Sequence, residues 1–202
     1  MNDKTVSEAA YWETAYGEAR DGWELGKATP PIVRALRSLP PGESALVMGC
    51  GRGHEARAAA AAGWGRVVGV DFAESARREA ERLTGAELAS RLEWRTQDLF
   101  DLRRTDAGAF DLVIEHTSFC AIDPARRAEW MAVVRSVLAP GGKLLGLFYT
   151  HGRPGGPPFG ATVAEVREAL QRASLRVEHD EVPDDSIERR RGDELLVWAV
   201  AG

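Results

Sequence analysis

Three glycines at alternate positions, Gly49, Gly51 and Gly53, lie between an apolar run and a helix-like stretch, and an acid, Asp71, closes the next apolar run. A turn without side chains lets a ligand reach the backbone and exposes the amides that open the following helix. A carboxylate at the end of a second strand accepts hydrogen bonds from ribose hydroxyls. The same acid also suits a helix N-cap, because helical sequence follows it. The dinucleotide fingerprint runs Gly-x-Gly-x-x-Gly, and here His54 occupies its last glycine position. That weakens a nicotinamide reading and leaves other adenosine ligands. In "TQDLF", Gln97 and Asp98 follow a third apolar run, where a carboxylate can accept from an adenine amino group and a backbone amide can donate to a ring nitrogen. His116 and Tyr149 close two further runs, adding an imidazole and a phenol to the same set of strand ends.

Because each of these residues follows a short apolar run, the elements that position them are strands alternating with helices. "SALVMG", "RVVGVD", "LEWRTQD", "FDLVIEH" and "KLLGLFY" read as five strands. Between them, "RAAAAAG" closes a helix on Gly63 and "SARREAERLTG" ends one at Gly85. "PARRAEWMAVVRSVLAPGG" is an amphipathic helix with a Pro-Gly-Gly stop. "TVAEVREALQRAS" is a further helix, with Thr162 and Glu165 spaced as a capping box. "LRVEHDEV" and "ELLVWAV" follow with no helix between them, so they pair antiparallel across the polar turn "PDDSIERRRGD". The expected fold is α/β: a Rossmann-like, doubly wound sheet of seven strands, mostly parallel with the last strand antiparallel, and helices on both faces. In such sheets the ligand sits outside the carboxyl ends of the strands.

At 202 residues and 44% hydrophobic content the chain suits one domain spanning 1–202. A net charge of −5 disfavours nucleic acid and anionic membranes as partners, since both require a basic face. A small molecule is the expected partner, with the chain a monomer or weak homo-oligomer. Cys50 and Cys120 stand apart and form no CxxC pair or zinc spacing, so both read as thiols of a reducing compartment and no metal site is expected. No apolar run approaches the ~20 residues of a membrane span. Met1 to Ala10 lacks the basic and apolar regions of a signal peptide, so a cytoplasmic location is expected.

Taken in order and spacing, "VMGCGRG", "VVGVD", "TQDLF", "FDLVIEH" and "LAPGGKLL" resemble the class I S-adenosylmethionine-dependent methyltransferases. The segments "YWETAYGEARDGWELGKATPPIV", "TSFCAIDPARRAEW", "GGPPF" and "ERRRGDELLVW" extend the likeness to the thiopurine methyltransferase superfamily, most closely its thiol, thiocyanate and halide branch. The resemblance implies S-adenosylmethionine as cofactor and S-adenosylhomocysteine as product. It implies a covering segment over residues 1–30 on a core of 31–202, with Trp12, Tyr16 and Trp23 lining the cofactor site. A sulfonium is a cation, and aromatic faces attract cations by ~0.5 to 2 kcal/mol each; packing the N-terminus onto the core is the alternative use of those rings. By position, Gly49 and Gly51 face the methionine part, Asp71 the ribose, and Gln97 with Asp98 the adenine. His116 falls where the family often carries an aromatic contact to the cofactor. The sequence departs from the pattern there and at Met48, Tyr16 and Ser118; His116 is still expected among the cofactor-binding residues, and with Ser118 it would also sit near the acceptor.

The expected reaction is an in-line displacement onto a small nucleophile such as a thiol, hydrosulfide, thiocyanate or halide, with oxygen, nitrogen or tellurium and selenium acceptors as the alternative. A soft anion needs no base, whereas a neutral thiol with a pKa near ~8.5 benefits from one. His116 is the candidate base, or else a satisfied histidine at a strand end, and Tyr149 is placed to orient the acceptor. Glu115 reads as a capping or salt-bridging acid. Arg189 to Arg191 read as a solvated turn, although the resemblance sets that segment near the mouth of the site, where one arginine would draw anionic acceptors in.

Overall fold

The computed structural model describes residues 5–18 and 21–202. In chain order its elements are α1 (Ala9–Gly17), α2 (Pro30–Ser38), β1 (Ser44–Met48), α3 (His54–Ala61), β2 (Arg66–Asp71), α4 (Glu74–Arg82), α5 (Ala86–Ala89) and β3 (Leu92–Thr96). There follow α6 (Leu102–Thr105), β4 (Phe110–His116), α7 (Arg127–Val137), β5 (Leu138–Tyr149), α8 (Val163–Arg172), β6 (Leu175–Glu181) and β7 (Glu194–Ala201). The seven strands form one sheet in the order β3-β2-β1-β4-β5-β7-β6. All neighbours pair parallel except β7, which runs antiparallel between β5 and β6. The doubly wound sheet with a reversed last strand read from the sequence is therefore present.

Strand periodicity divides the core. On β1, Ala45 and Val47 point to one face and Leu46 and Met48 to the other. The first face packs on Ile32 and Leu36 of α2 and on Ala56 and Ala59 of α3. The second packs on Trp130, Val133 and Val134 of α7 and on Val166 and Leu170 of α8. With both faces covered, the central strands are apolar along their whole length, which is why they appear in the sequence as unbroken runs.

Two boundaries differ from the sequence reading. α7 begins at Arg127, because Asp123 caps a preceding 3₁₀ turn over Pro124–Arg126. β5 begins at Leu138, which pairs with Phe110, and its ladder resumes at Lys143 opposite Leu112. The Pro140-Gly141-Gly142 stretch is thus accommodated within the strand as an irregularity, with Gly141 at φ 75°. The predicted capping box of α8 is formed: the Glu165 amide donates to Thr162 Oγ1, and the Thr162 amide donates to the Glu165 carboxylate.

The chain order turns from β1, β2 and β3 on one side to β4 and β5 on the other, so the switch point lies between β1 and β4. The N-terminal segment lies across that end of the sheet. Glu13 on α1 accepts from the amides of Glu74 and Ser75, capping α4, whose own N-cap is Ala73. Asp21 and Glu24 hold Arg52 at 2.5 and 3.0 Å, and Glu24 also holds His54 at 2.7 Å. Arg34 of α2 clasps Glu181 and Asp185, bringing the β6–β7 connection alongside. No helix among the described residues is long and apolar enough to cross a membrane.

Candidate active site

Beneath the N-terminal segment a cavity of ≈ 550 Å³ opens at the carboxyl ends of the strands. Its floor is the glycine turn after β1, with Gly49, Gly51 and Gly53 at φ 61°, 52° and 74°. Only glycine adopts such angles freely. Space restricts the turn as well: a Cβ on Gly49 would meet the Ser118 Cβ at 2.7 Å, and one on Gly51 would approach the Tyr16 hydroxyl at 3.3 Å. Asp71 ties the turn down, Oδ2 accepting from the Gly51 amide and Oδ1 from the Ala73 amide, both at 2.9 Å. Capping of α4 falls to Glu13, so the helix-cap reading of Asp71 reduces to that one bond with Ala73. Burial raises the Asp71 carboxyl above its ordinary range against the lowering effect of these amides. A backbone cradle with a carboxylate beside it and a cavity of this size fit an adenosine ligand carrying an amino-acid part.

The other expected cofactor residues separate into two groups. Trp12, Tyr16 and Trp23 line the cavity together with Gly49, Gly51, Asp71 and Asp98. Tyr16 and Trp12 each meet Trp23 edge to face at a centroid distance of 5.6 Å. Burial pushes the Tyr16 hydroxyl well up, so the phenol stays neutral. Asp98 also caps a 3₁₀ turn, Oδ1 accepting from the Phe100 amide at 2.9 Å. Gln97 is not among the residues lining the cavity: its side-chain amide donates to Thr105 Oγ1 at 3.1 Å, and its backbone amide donates to the Asp71 carbonyl. Its part is to join the ends of β2 and β3.

At the ends of β4 and β5, His116 and Tyr149 also line the cavity. His116 Nδ1 stands 3.0 Å from Glu55 Oε1, and Nε2 stands 3.0 Å from Nη1 of Arg190. A guanidinium has no acceptor. Nε2 therefore carries the lone pair and Nδ1 the proton, an assignment made from the partners. The lone pair that a general base would use is already engaged. Arg190 also donates to Glu194 and to the Trp23 carbonyl, and its Cζ lies 5.2 Å from the Tyr149 ring centroid. The Tyr149 hydroxyl accepts from Arg153. Burial would raise Glu55, but His116 and the Thr29 amide outweigh it and hold the carboxyl below its ordinary range.

Of these residues Glu55 was not singled out from the sequence, whereas Arg190 belongs to the run that the resemblance sets near the mouth of the site. The solvated-turn reading applies to the exposed Arg189 and Arg191 but not to Arg190, which is 5% exposed. A run of three arginines gives no sign of which one turns inward; the apolar strand beginning four residues later at Glu194 is the nearest signal. Glu55 sits in the first turn of an alanine-rich helix, where helix N-terminal charge accounts for an acid without any site.

After His116 the chain turns sharply, with Thr117 at φ 68°, a strained angle for a β-branched residue. Glu115 supports the turn, as its capping reading expected, by accepting from Ser118 Oγ and from the Phe119 amide. Burial pushes the Glu115 carboxyl up from 4.5 to about 7. Between those values the folded chain keeps a proton that the unfolded chain has lost, so this site's contribution is full at low pH and is lost as pH rises through 7. Glu115→Gln is expected to exceed the parent's stability at pH 8 by roughly 1 to 3 kcal/mol and to match it near pH 5. Parallel melting-temperature profiles for the two proteins would contradict this. Burial likewise pushes the Cys120 thiol up to about 12 and Cys50 well above its ordinary value, so neither provides a thiolate at neutral pH.

A seven-stranded sheet with β7 reversed, a glycine turn at the switch point and an acid closing β2 define the Rossmann-like class of methyltransferases. The 1,6-didemethyltoxoflavin-N1-methyltransferase of Burkholderia thailandensis, solved with S-adenosylhomocysteine bound, shares the fold at a TM-score of 0.76 and 20% identity over 96% of this chain and 86% of that one. The chain belongs to the thiopurine S-methyltransferase family, whose model matches residues 7–198. It is 36% identical over 197 residues to thiocyanate methyltransferase 1 of Arabidopsis thaliana, covering 96% of this chain and 85% of that protein. It is 34% identical over 163 residues to probable thiol methyltransferase 2 of the same plant, covering 79% and 70%. Membership makes the chain an S-adenosylmethionine-dependent methyltransferase and sets aside the nicotinamide reading.

Proposed function

We propose that the chain methylates a small, soft, anionic nucleophile: a thiolate, hydrosulfide, thiocyanate or halide. The observation that carries this reading is the buried Arg190 guanidinium, which lines a cavity whose acids are all committed to the protein itself. Glu24 holds Arg52 and His54, Glu55 holds His116, and Asp71 holds the glycine turn. Asp98 and Asp123 cap the 3₁₀ turns that follow them. With the His116 lone pair on Arg190 as well, the site suits an acceptor that arrives already as an anion, from which no proton has to be taken. The relatives named for thiocyanate and thiol methylation support the same acceptor class.

S-adenosylmethionine supplies a methyl group on a sulfonium, whose carbon bonds to the acceptor as its bond to the cofactor sulfur breaks and leaves the electron pair on that sulfur. The chain's own contribution is to hold the partners in line and dry, from which much of the rate arises. In this reading the glycine turn and Asp71 hold the methionine and ribose parts. Trp12, Tyr16 and Trp23 exclude water and face the cation. Arg190 attracts the acceptor, and Tyr149 beside it orients the acceptor.

The test is a series of thiols of graded pKa at pH 7.5. Between thiols of pKa ~7.5 and ~10.5 the thiolate fraction falls about five-hundredfold while the rising basicity returns roughly 15- to 30-fold in nucleophilicity, so kcat/KM is expected to fall by at least about tenfold. Equal kcat/KM across the series would reveal a working base on the chain and contradict the proposal.

A further inference from the structure

We infer that Glu55 is a positioning residue that sets acceptor selectivity through the tautomer of His116. The inference rests on the proposed anionic acceptor. Glu55, Arg190 and Glu194 are 7%, 5% and 1% exposed, and with His116 they form a hydrogen-bonded chain from α3 to the start of β7. Glu55 has only acceptor oxygens, so it requires a proton on His116 Nδ1; Nε2 is then left as an acceptor, which matches Arg190 as a pure donor. The orientation of one buried guanidinium is in this way imposed from the helix that opens the cofactor turn. Arg190 spends its bonds on His116, Glu194 and the Trp23 carbonyl, leaving its remaining N–H donors for the cavity it lines. The Trp23 carbonyl belongs to the N-terminal segment over the site, so the same guanidinium joins the acceptor end to the cover.

Glu55→Leu tests this. Leucine offers Nδ1–H no acceptor, so nothing holds the imidazole proton on Nδ1, and the Nε2–H form sets two donors, Nε2–H and Arg190, against each other. The expected result is a KM for thiocyanate raised about tenfold more than the inhibition constant of neutral dimethyl sulfide as a competitor, with a smaller change in kcat. The imidazole ¹⁵N shifts of His116 are expected to report a protonated Nδ1 and bare Nε2 in the parent, and a mixture of the two tautomers in Glu55→Leu. Glu55→Gln, whose Oε1 can still accept from Nδ1–H and from the Thr29 amide that share one Glu55 oxygen, is expected to keep the parental tautomer. Equal rises in both constants, or the parental tautomer alone in Glu55→Leu, would overturn the inference. Should Glu55→Leu not fold, a protonated Nε2 in the parent at pH 7.5 would overturn it by itself. Because the ¹⁵N measurement needs no turnover, a parent that fails to methylate thiocyanate would refute the proposed acceptor while the tautomer remained separately decided.

Discussion

Asp71→Ala is expected to weaken S-adenosylhomocysteine binding at least about a hundredfold and to lower the melting temperature by roughly 6 to 24 °C. Both effects have one origin. The Asp71 carboxylate accepts from the Gly51 and Ala73 amides at 2.9 Å, and hydrogen bonds to a charged group are worth about 1.5 to 3 kcal/mol each. Without it, the Gly51 amide loses its tie to the end of β2, leaving the turn held there by the Cys50 amide on the Val70 carbonyl, and the cradle loosens before any ribose contact is counted. Asp71→Asn, which preserves volume but offers a single acceptor oxygen, is expected to fall between alanine and the parent. Titration calorimetry on the folded variants decides the matter: affinity within threefold of the parent in Asp71→Ala would show that the cofactor does not depend on this acid.

Arg190→Met is expected to combine two losses that a second substitution separates. Removing the guanidinium strands the buried Glu194 carboxylate, and breaking such a pair costs about 3 to 5 kcal/mol. It also removes the cation from the acceptor end, so the KM for thiocyanate is expected to rise by roughly 10- to 100-fold. Adding Glu194→Gln should restore most of the stability and leave the KM defect in place. A folded double variant with the parent's KM would confine Arg190 to a structural role. Arg190→Lys, which keeps the charge but not the planar fork, is expected to retain part of the affinity.

The sheet was legible because the covered central strands show as unbroken apolar runs and the exposed helix faces as polar stripes; even the reversed β7 followed from a missing crossover helix. The errors came where local signals compete. Pro140, Gly141 and Gly142 read as a helix stop, yet the ladder with β4 resumes beyond them and draws Leu138 into β5. At the site, the glycine turn and Asp71 were legible because conformation restricts residue type there. Gln97 was expected with the adenine, and its side-chain amide bonds Thr105 in this structure, because a strand-end position does not determine which way a side chain points. The run Arg189 to Arg191 was legible as a segment near the site but not which arginine turns inward, and Glu13 and Glu55 could not be read, because each of these residues acts on one distant in sequence: Trp23 for Arg190, Glu74 for Glu13 and His116 for Glu55. Such partnerships have no spacing to detect, and in isolation each residue is an ordinary surface charge.

The most direct test of the account is to incubate the purified chain with S-adenosylmethionine carrying a deuterated methyl group and an equimolar mixture of thiocyanate, hydrosulfide, iodide, a phenol and an amine, and to identify the labelled products by mass spectrometry. The account predicts deuterated methyl on sulfur and iodide, with the phenol and amine unlabelled. Label on oxygen or nitrogen alone would contradict it.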